Sequence, residues 1–224
     1  MFIKTMERKY SSHIYLWEFF VFASLHNKMK PLKEKYKFLA KATRHQMNVF
    51  DVDDTLVVTD SKIRVTDHKT GEVLVLTPQE FNEYEAQPHH TQDYSDFQCI
   101  EILKAGRIIH WVLDILKNTL EESKAVGIVT ARDNSKLMRD FLLHHNIDIN
   151  PDFIFAVSDP IDYDIIKPIA VRKKQAFKKL VDLGFNSFRF YDDDKENLTL
   201  VKSLEKELDI NIKTEWVNED WIPG

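Results

Sequence analysis

Around residue 50 the chain reads Asn48-Val49-Phe50-Asp51-Val52-Asp53-Asp54-Thr55-Leu56, an apolar run that leads straight into Asp-x-Asp-x-Thr. Side chains two residues apart on a strand point to the same side. Asp51 and Asp53 would therefore repel each other unless a metal ion or a shared proton relieved them. A buried strand that ends in two such carboxylates predicts a site for a divalent cation and phosphate rather than part of a core.

Strands and helices alternate along the rest of the chain, which predicts a parallel sheet with crossover helices. We expect a Rossmann-like three-layer α/β sandwich with a central parallel sheet, whose polar residues lie just past the carboxyl ends of the strands. The strands are predicted at Met47–Val52, Ala125–Thr130, Phe153–Val157, Phe188–Asp192 and Ile210–Val217. The helices are predicted at Ile108–Glu121, Ser135–His145, Ala170–Leu183 and Lys195–Leu208.

Residues 57–107 separate the first strand from the first long helix and predict a small cap insert of a hairpin and a helix. Lys62–Thr66 and Glu72–Leu76 alternate in polarity around a glycine turn, which predicts the hairpin. Thr77-Pro78-Gln79-Glu80 has the pattern of a capping box with proline at the first helical position. It predicts a short helix that continues to about Tyr84.

A polar stretch follows this short helix, from Gln87 to Asp96, and is interpreted as an exposed loop. It contains His89 and His90, which lack metal-ligand spacing with any other histidine or cysteine. We interpret both histidines as surface residues, with substrate contact as the alternative.

The first 46 residues differ in character from the rest and predict a separate helical extension before a self-contained domain at residues 47–224. The aromatic-rich run Ile14–Phe22 is too short to span a bilayer and contains Glu18, so we expect an amphipathic helix that is buried or faces a protein partner. Cys99 is the only cysteine, which excludes an intrachain disulfide and fits a cytoplasmic location. A net charge of -5 gives no general attraction to nucleic acid or membrane.

Three later polar stretches complete the pattern that Asp-x-Asp-x-Thr begins. Thr130-Ala131-Arg132 follows the second predicted strand, Lys173-Lys174 lies early in a predicted helix, and Asp192-Asp193-Asp194 follows the fourth predicted strand. In this order and spacing the four stretches resemble the motifs of the haloacid dehalogenase superfamily of phosphohydrolases. The resemblance covers residues 47–217, which is most of the chain.

The resemblance implies a role for each matching residue. Asp51 is implied as the nucleophile that forms an aspartyl-phosphate, and Asp53 as the general acid and then the general base. Thr130 is implied to donate a hydrogen bond to a phosphoryl oxygen. Arg132 is implied either to bind substrate phosphate or to form a structural ion pair.

The resemblance also implies a lysine that offsets the negative charge of the nucleophile and the phosphoryl group. Lys173 is the favoured candidate, because family members often place this lysine at such a helix start. Lys167, which precedes Pro168, matches a different family pattern, and Lys174 is adjacent to the favoured residue.

The cofactor that the resemblance implies is Mg²⁺, which takes oxygen ligands and keeps several waters. Asp51, the backbone carbonyl of Asp53, and Asp192 are implied as its ligands, and Asp193 as the holder of a bound water. Asp194 is expected to cap the following helix, with Asn197 steadying the loop.

The predicted function is Mg²⁺-dependent hydrolysis of a phosphomonoester through an aspartyl-phosphate. The chain is similar to phage-encoded members of the superfamily and to the phosphatase part of polynucleotide kinase/phosphatase enzymes, which favours a nucleotide or a polynucleotide end as substrate. Two alternatives stay open: a phosphotransferase, and a non-catalytic module of the same fold that binds a protein partner through the N-terminal helix.

Overall fold

The computed structural model of the protein describes residues 46–122 and 124–218. The predicted helical extension lies outside these residues, apart from Gln46, which begins the first strand. The strands are β1 (Gln46–Phe50), β2 (Val57–Val58), β3 (Ile63–Asp67), β4 (Val73–Leu76), β5 (His90–Asp93), β6 (Arg107–Ile108), β7 (Ala125–Thr130), β8 (Ile154–Ala156), β9 (Ser187–Asp192) and β10 (Asn211–Trp216). The helices are α1 (Pro78–Asn82), α2 (Ile100–Ala105), α3 (His110–Glu121), α4 (Ser135–His144), α5 (Ile169–Asp182), α6 (Lys195–Lys202) and α7 (Leu204–Leu208).

The central sheet has five parallel strands in the order β10-β9-β1-β7-β8, flanked by helices. All five strands predicted from the sequence are present, each within two residues of the predicted ends. The chain runs outward from β1 through β7 to β8 and then crosses back to place β9 on the other side of β1. Open α/β sheets bind ligands at the carboxyl ends of strands where the order reverses. Here that position lies between β1 and β9.

The insert between β1 and α3 contains the predicted hairpin, β3 and β4, whose turn holds Gly71 at φ 77°. The capping box is also confirmed, because the Thr77 side chain and the Glu80 side chain each accept a backbone N–H, and α1 ends at Asn82. The interpretation of residues 87–96 as a loop is wrong. Four of these residues form β5, which pairs with β3 and makes a three-stranded antiparallel sheet.

One predicted helix is divided in two. Instead of a single helix over Lys195–Leu208, α6 ends at Lys202 and α7 begins at Leu204. The Ser203 hydroxyl donates to the carbonyl of Leu200 at 2.6 Å, a local bond that competes with helical backbone pairing. Among the described residues, no helix combines the length and the apolar character needed to cross a membrane.

Candidate active site

The carboxyl ends of β1 and β9 place two of the predicted site residues side by side. The register pairs Phe50 with Tyr191, and the Asp51 N–H donates to the Tyr191 carbonyl at 3.0 Å. The two rings stack below the site with centroids 4.7 Å apart. Asp51 and Asp192 are the next residues along the two strands, so they lie side by side above the buried rings of Phe50 and Tyr191.

Lys173 joins these two carboxylates. Its Nζ lies 2.9 Å from Asp51 Oδ2 and 2.7 Å from Asp192 Oδ2, and its side chain is 1% exposed. The two alternative lysines lie elsewhere: Lys167 is half exposed beside Asp164, and Lys174 contacts Glu207. Of the three candidates, only Lys173 is in the carboxylate cluster.

Asp192 is fully buried, and besides Lys173 two groups hold its side chain through three hydrogen bonds. Its Oδ1 accepts the Asp194 N–H at 2.9 Å and the Asn197 amide at 3.0 Å, and its Oδ2 accepts a longer bond from the same amide at 3.3 Å. Asp194 caps α6 through the Glu196 N–H, as predicted. The helix cap and the site carboxylate are thus ordered by one short loop.

Burial and mutual repulsion make the cluster electrostatically costly. Burial raises the pKa of Asp51 well above its ordinary value, and the charges of Asp192, Asp193 and Asp53 add to this while Lys173 opposes it. Burial, followed by the charge of Asp192, raises the pKa of Asp193 to about 7. Burial alone would lower the pKa of Lys173, but the charges of Asp192 and Asp51 raise it above its ordinary value.

The donor set fits a small divalent cation. Carboxylate oxygens of Asp51, Asp192 and Asp193 lie within 4.8 Å of one another. When ionised, these three carboxylates and the Lys173 ammonium sum to two negative charges, the charge that one Mg²⁺ would neutralise. Asp51 Oδ1 is buried and accepts no hydrogen bond from the described part of the chain. An oxygen left without a partner in this position has lone pairs available for a cation or for chemistry.

Asp53 and Arg132 form a second pair next to the cluster. Arg132 is bidentate, with Nε 2.9 Å from Asp53 Oδ2 and Nη2 2.7 Å from Asp53 Oδ1. Its Nη1 also donates to the Phe97 carbonyl of the insert at 2.5 Å, and its backbone N–H donates to the Thr130 hydroxyl at 3.3 Å. Of the two roles considered for Arg132, the structural ion pair is therefore present, and the bond from Arg132 to the Phe97 carbonyl connects the core to the insert.

His89 and His90, which were interpreted as surface residues, have side chains that are only 26% and 10% exposed, and they contact Asp67 at 3.6 Å and 3.9 Å. With Asp67 they form a second group that has the residue types of a metal site. However, His90 Nδ1 accepts the Gln87 backbone N–H at 3.1 Å, which puts the ring proton of neutral His90 on Nε2, the nitrogen nearest Asp67. The group therefore holds β5 against the hairpin turn and lacks a free ligand nitrogen on His90.

A cleft of about 900 Å³ opens over this edge of the sheet, between the core and the insert. Asp53, Arg132 and Asp193 line its floor. Aromatic side chains from both parts of the chain line its sides: Phe81, Tyr94, Phe97 and Trp216. The cleft can hold a ligand with a large flat apolar part next to the carboxylates.

Two residues that the sequence interpretation left without a role contact the site. The Thr55 hydroxyl donates to Asp193 Oδ1 at 3.4 Å. The Trp216 indole N–H donates to the Asp193 carbonyl at 2.8 Å, and Lys195 Nζ lies 4.0 Å from the centre of the indole ring. Trp216 is 46% exposed. The one feature of the sequence that could have indicated a role for Trp216 is its position at the carboxyl end of the last predicted strand.

Comparison of the chain with models of known protein families finds no match, and comparison with curated proteins finds none either.

Proposed function

We propose that the protein is a Mg²⁺-dependent phosphomonoesterase of the haloacid dehalogenase superfamily, which acts through an aspartyl-phosphate on Asp51. The observation that carries this proposal is the buried Asp51 Oδ1, which has no hydrogen-bond partner among the described residues while Lys173 binds the other oxygen. A carboxylate that is both restrained and left with one free oxygen is prepared to attack an electrophile.

In the first step an Asp51 oxygen attacks phosphorus and forms an acyl-phosphate bond, while the bond from phosphorus to the ester oxygen breaks. The leaving oxygen takes a proton from Asp53. A carboxylate has about four lone-pair positions, and Arg132 occupies two of those on Asp53, so the others can carry the proton. Arg132 is therefore a positioning residue for the acid.

In the second step Asp53, now ionised, takes a proton from a water molecule whose oxygen attacks phosphorus. The bond between phosphorus and Asp51 breaks, inorganic phosphate leaves, and both carboxylates return to their starting state. Splitting one displacement into two lets a single carboxylate serve as acid and then as base, a role worth about 100- to 10,000-fold in rate.

The remaining polar residues support the transferred group. Lys173 favours the ionised form of Asp51 and offsets the charge on the phosphoryl oxygens, and the Thr130 hydroxyl binds one of those oxygens. Asp51, Asp192 and Asp193 would hold Mg²⁺, with the Asp53 backbone carbonyl as a further ligand. When bound, Mg²⁺ supplies positive charge at the phosphoryl oxygens.

The favoured substrate is a nucleotide or a polynucleotide end. The cleft next to the carboxylates has four aromatic residues on its sides, and bases stack on aromatic side chains for about 1–3 kcal/mol each. The insert closes one side of the cleft as a partial lid, which suits a nucleotide-sized leaving group.

A phosphate-release assay with Mg²⁺, across phosphorylated sugars, nucleotides and 3′- or 5′-phosphorylated oligonucleotides, tests the proposal. We expect release that stops with a chelator and returns with Mg²⁺, that falls about 100- to 10,000-fold in Asp53→Asn, and that is lost in Asp51→Asn. Asp114→Asn, the same chemical change on the exposed face of α3, is the matched control and should keep wild-type activity.

Two outcomes would contradict the proposal: no release from any substrate, or equal release by wild type and Asp51→Asn. Acid-quenched protein incubated with a ³²P-labelled substrate should carry label on wild type and not on Asp51→Asn. Faster turnover when alcohols are added, with phosphate appearing on the alcohol, would instead indicate phosphotransfer.

A further inference from the structure

Arg172 is a buried positive charge that forms no ion pair with a carboxylate of residues 46–122 or 124–218. It precedes Lys173 in the first turn of α5 and is 7% exposed. Its Nε donates to the Lys167 carbonyl at 3.0 Å, and its Nη1 donates to the Val157 carbonyl and the Ser158 hydroxyl at 2.8 Å each. All three acceptors are neutral.

Lys173 and Arg172 differ in how far the carboxylates of the described residues offset their charges. Two carboxylates raise the pKa of Lys173. Burial lowers the pKa of Arg172, and the charge of Asp164 opposes this only in part. No carboxylate in the described part of the chain lies within the 4.0 Å of an ion pair with Arg172. A buried charge without a counter-charge is destabilising unless a ligand supplies one.

Arg172 lines the cleft, and part of its guanidinium makes no hydrogen bond to the described residues. Nη2 donates to no described residue, and Arg172, Ser158 and Ile169 line the cleft together. The first turn of α5 adds partial positive charge, since no side chain caps this helix of 14 residues. Arginine is well suited to such a place because its planar guanidinium matches phosphate geometry.

Two residues, Val157 and Ser158, link Arg172 to the proposed catalytic groups. The Val157 carbonyl accepts from Arg172, while the Val157 N–H donates to the Thr130 carbonyl at 2.9 Å. The Ser158 N–H donates to the Arg132 carbonyl at 3.1 Å. The Arg172 position therefore lies beside the scissile-phosphate site, on the β8 side of it.

We propose that Arg172 and Ser158 form a subsite for a second phosphate group of the substrate, beside the phosphate that is hydrolysed. This inference rests on the proposed function and narrows the class of its substrate. The preferred substrate carries two phosphates, as a nucleoside bisphosphate or as a polynucleotide end in which the second phosphate is a diester. A nucleoside monophosphate leaves the subsite empty.

The test compares kcat/KM for thymidine 3′,5′-bisphosphate, for each thymidine monophosphate, and for dithymidylate with a terminal phosphate. Wild type should prefer the two-phosphate substrates by roughly 10- to 100-fold, the range of a charge-assisted hydrogen bond. In Arg172→Gln this preference should be lost, and in Arg172→Lys it should be kept in part. Lys178→Gln removes a charge from the same helix at a half-exposed position and should leave the preference unchanged. If wild type prefers only the bisphosphate, the subsite binds a free phosphate. If it prefers the dinucleotide, the subsite binds a phosphodiester.

Calorimetric titration of the same thymidine compounds into Asp51→Asn separates this inference from the proposed function. If no substrate releases phosphate but the bisphosphate binds roughly tenfold or more tightly than both monophosphates, the proposed activity fails and the subsite stands. Equal binding of bisphosphate and monophosphates, or an unchanged preference in a folded Arg172→Gln, overturns the subsite. Even if Arg172→Gln does not fold, the comparison of bisphosphate with monophosphates in wild type tests whether the subsite exists.

Discussion

Replacing Asp193 by asparagine should stabilise the protein when divalent cations are absent. Burial and the neighbouring charge of Asp192 raise the pKa of Asp193 from 3.8 to about 7. At about 1.4 kcal/mol for each tenfold change in proton affinity, this gap corresponds to at most about 4 kcal/mol. Because the carboxylate is partly exposed to solvent, which screens its repulsion, we expect about 1–3 kcal/mol. Asparagine keeps an oxygen that can accept the Thr55 hydroxyl.

The pH dependence gives this prediction a definite sign. Below about pH 4 the Asp193 carboxyl is protonated in the folded and the unfolded states, so the variant and wild type should be equally stable. Between about pH 4 and 7 the folded state keeps a proton that the unfolded state has lost, so the free energy of unfolding of wild type falls as pH rises. Above about pH 7 the variant should keep its full advantage over wild type in the free energy of unfolding.

Urea unfolding followed by tryptophan fluorescence, with a chelator present and at a series of pH values, measures this difference. The curves for wild type and Asp193→Asn should separate between about pH 4 and 7, and saturating Mg²⁺ should bring them together again. A variant that is less stable than wild type above pH 7, or a difference independent of pH, would refute the reasoning about this carboxylate.

Three further changes have expected outcomes. Lys173→Met leaves Asp51 and Asp192 buried without their cation and should lower the free energy of unfolding by about 3–5 kcal/mol in urea titrations, with part regained in Mg²⁺; full stability without the metal would contradict this. Thr77→Ala removes the α1 cap and should cost about 1 kcal/mol, measurable by the same titration, whereas an unchanged midpoint would mean that the cap is not stabilising. Gly106→Ala puts a Cβ 2.5 Å from Val57 Cγ2 and 2.8 Å from the Val58 carbonyl, so thermal unfolding should show a loss of about 1–3 kcal/mol; wild-type stability would argue against this close approach.

The central sheet was predictable because its signals are local. β7 and β8 are short, mostly apolar runs, and in β1 and β9 apolar residues come directly before Asp51 and Asp192. Since parallel strands end at one edge, the order of the motifs was enough to predict that Asp51, Thr130 and Asp192 lie near one another. Helical geometry explains why Lys173 and not Lys174 reaches the cluster: adjacent residues differ by about 100° around a helix, so they contact different neighbours.

Other features depend on contacts between distant parts of the chain and have no local signal. The β5 sequence His-Thr-Gln-Asp has no apolar alternation, and it is a strand because β3 pairs with it and Arg64 binds Asp96 beyond its end at 2.7 Å. The bidentate pair of Asp53 and Arg132 joins residues 79 positions apart. That Arg172 pairs with no carboxylate of the described residues can be seen only when all of its neighbours are known, so no sequence motif indicates it.

The short pairing of β2 with β6 has a consequence for how such a protein can change over evolutionary time. Val57 is opposite Ile108 and Val58 is opposite Arg107, and the Ile109 N–H donates to the Leu56 carbonyl at 2.9 Å. The segment between them thus leaves the domain and returns to it at neighbouring points. Recombination could exchange residues 59–106 for a longer or shorter cassette without moving either end, and so change which molecules fit the cleft while the carboxylates stay in place.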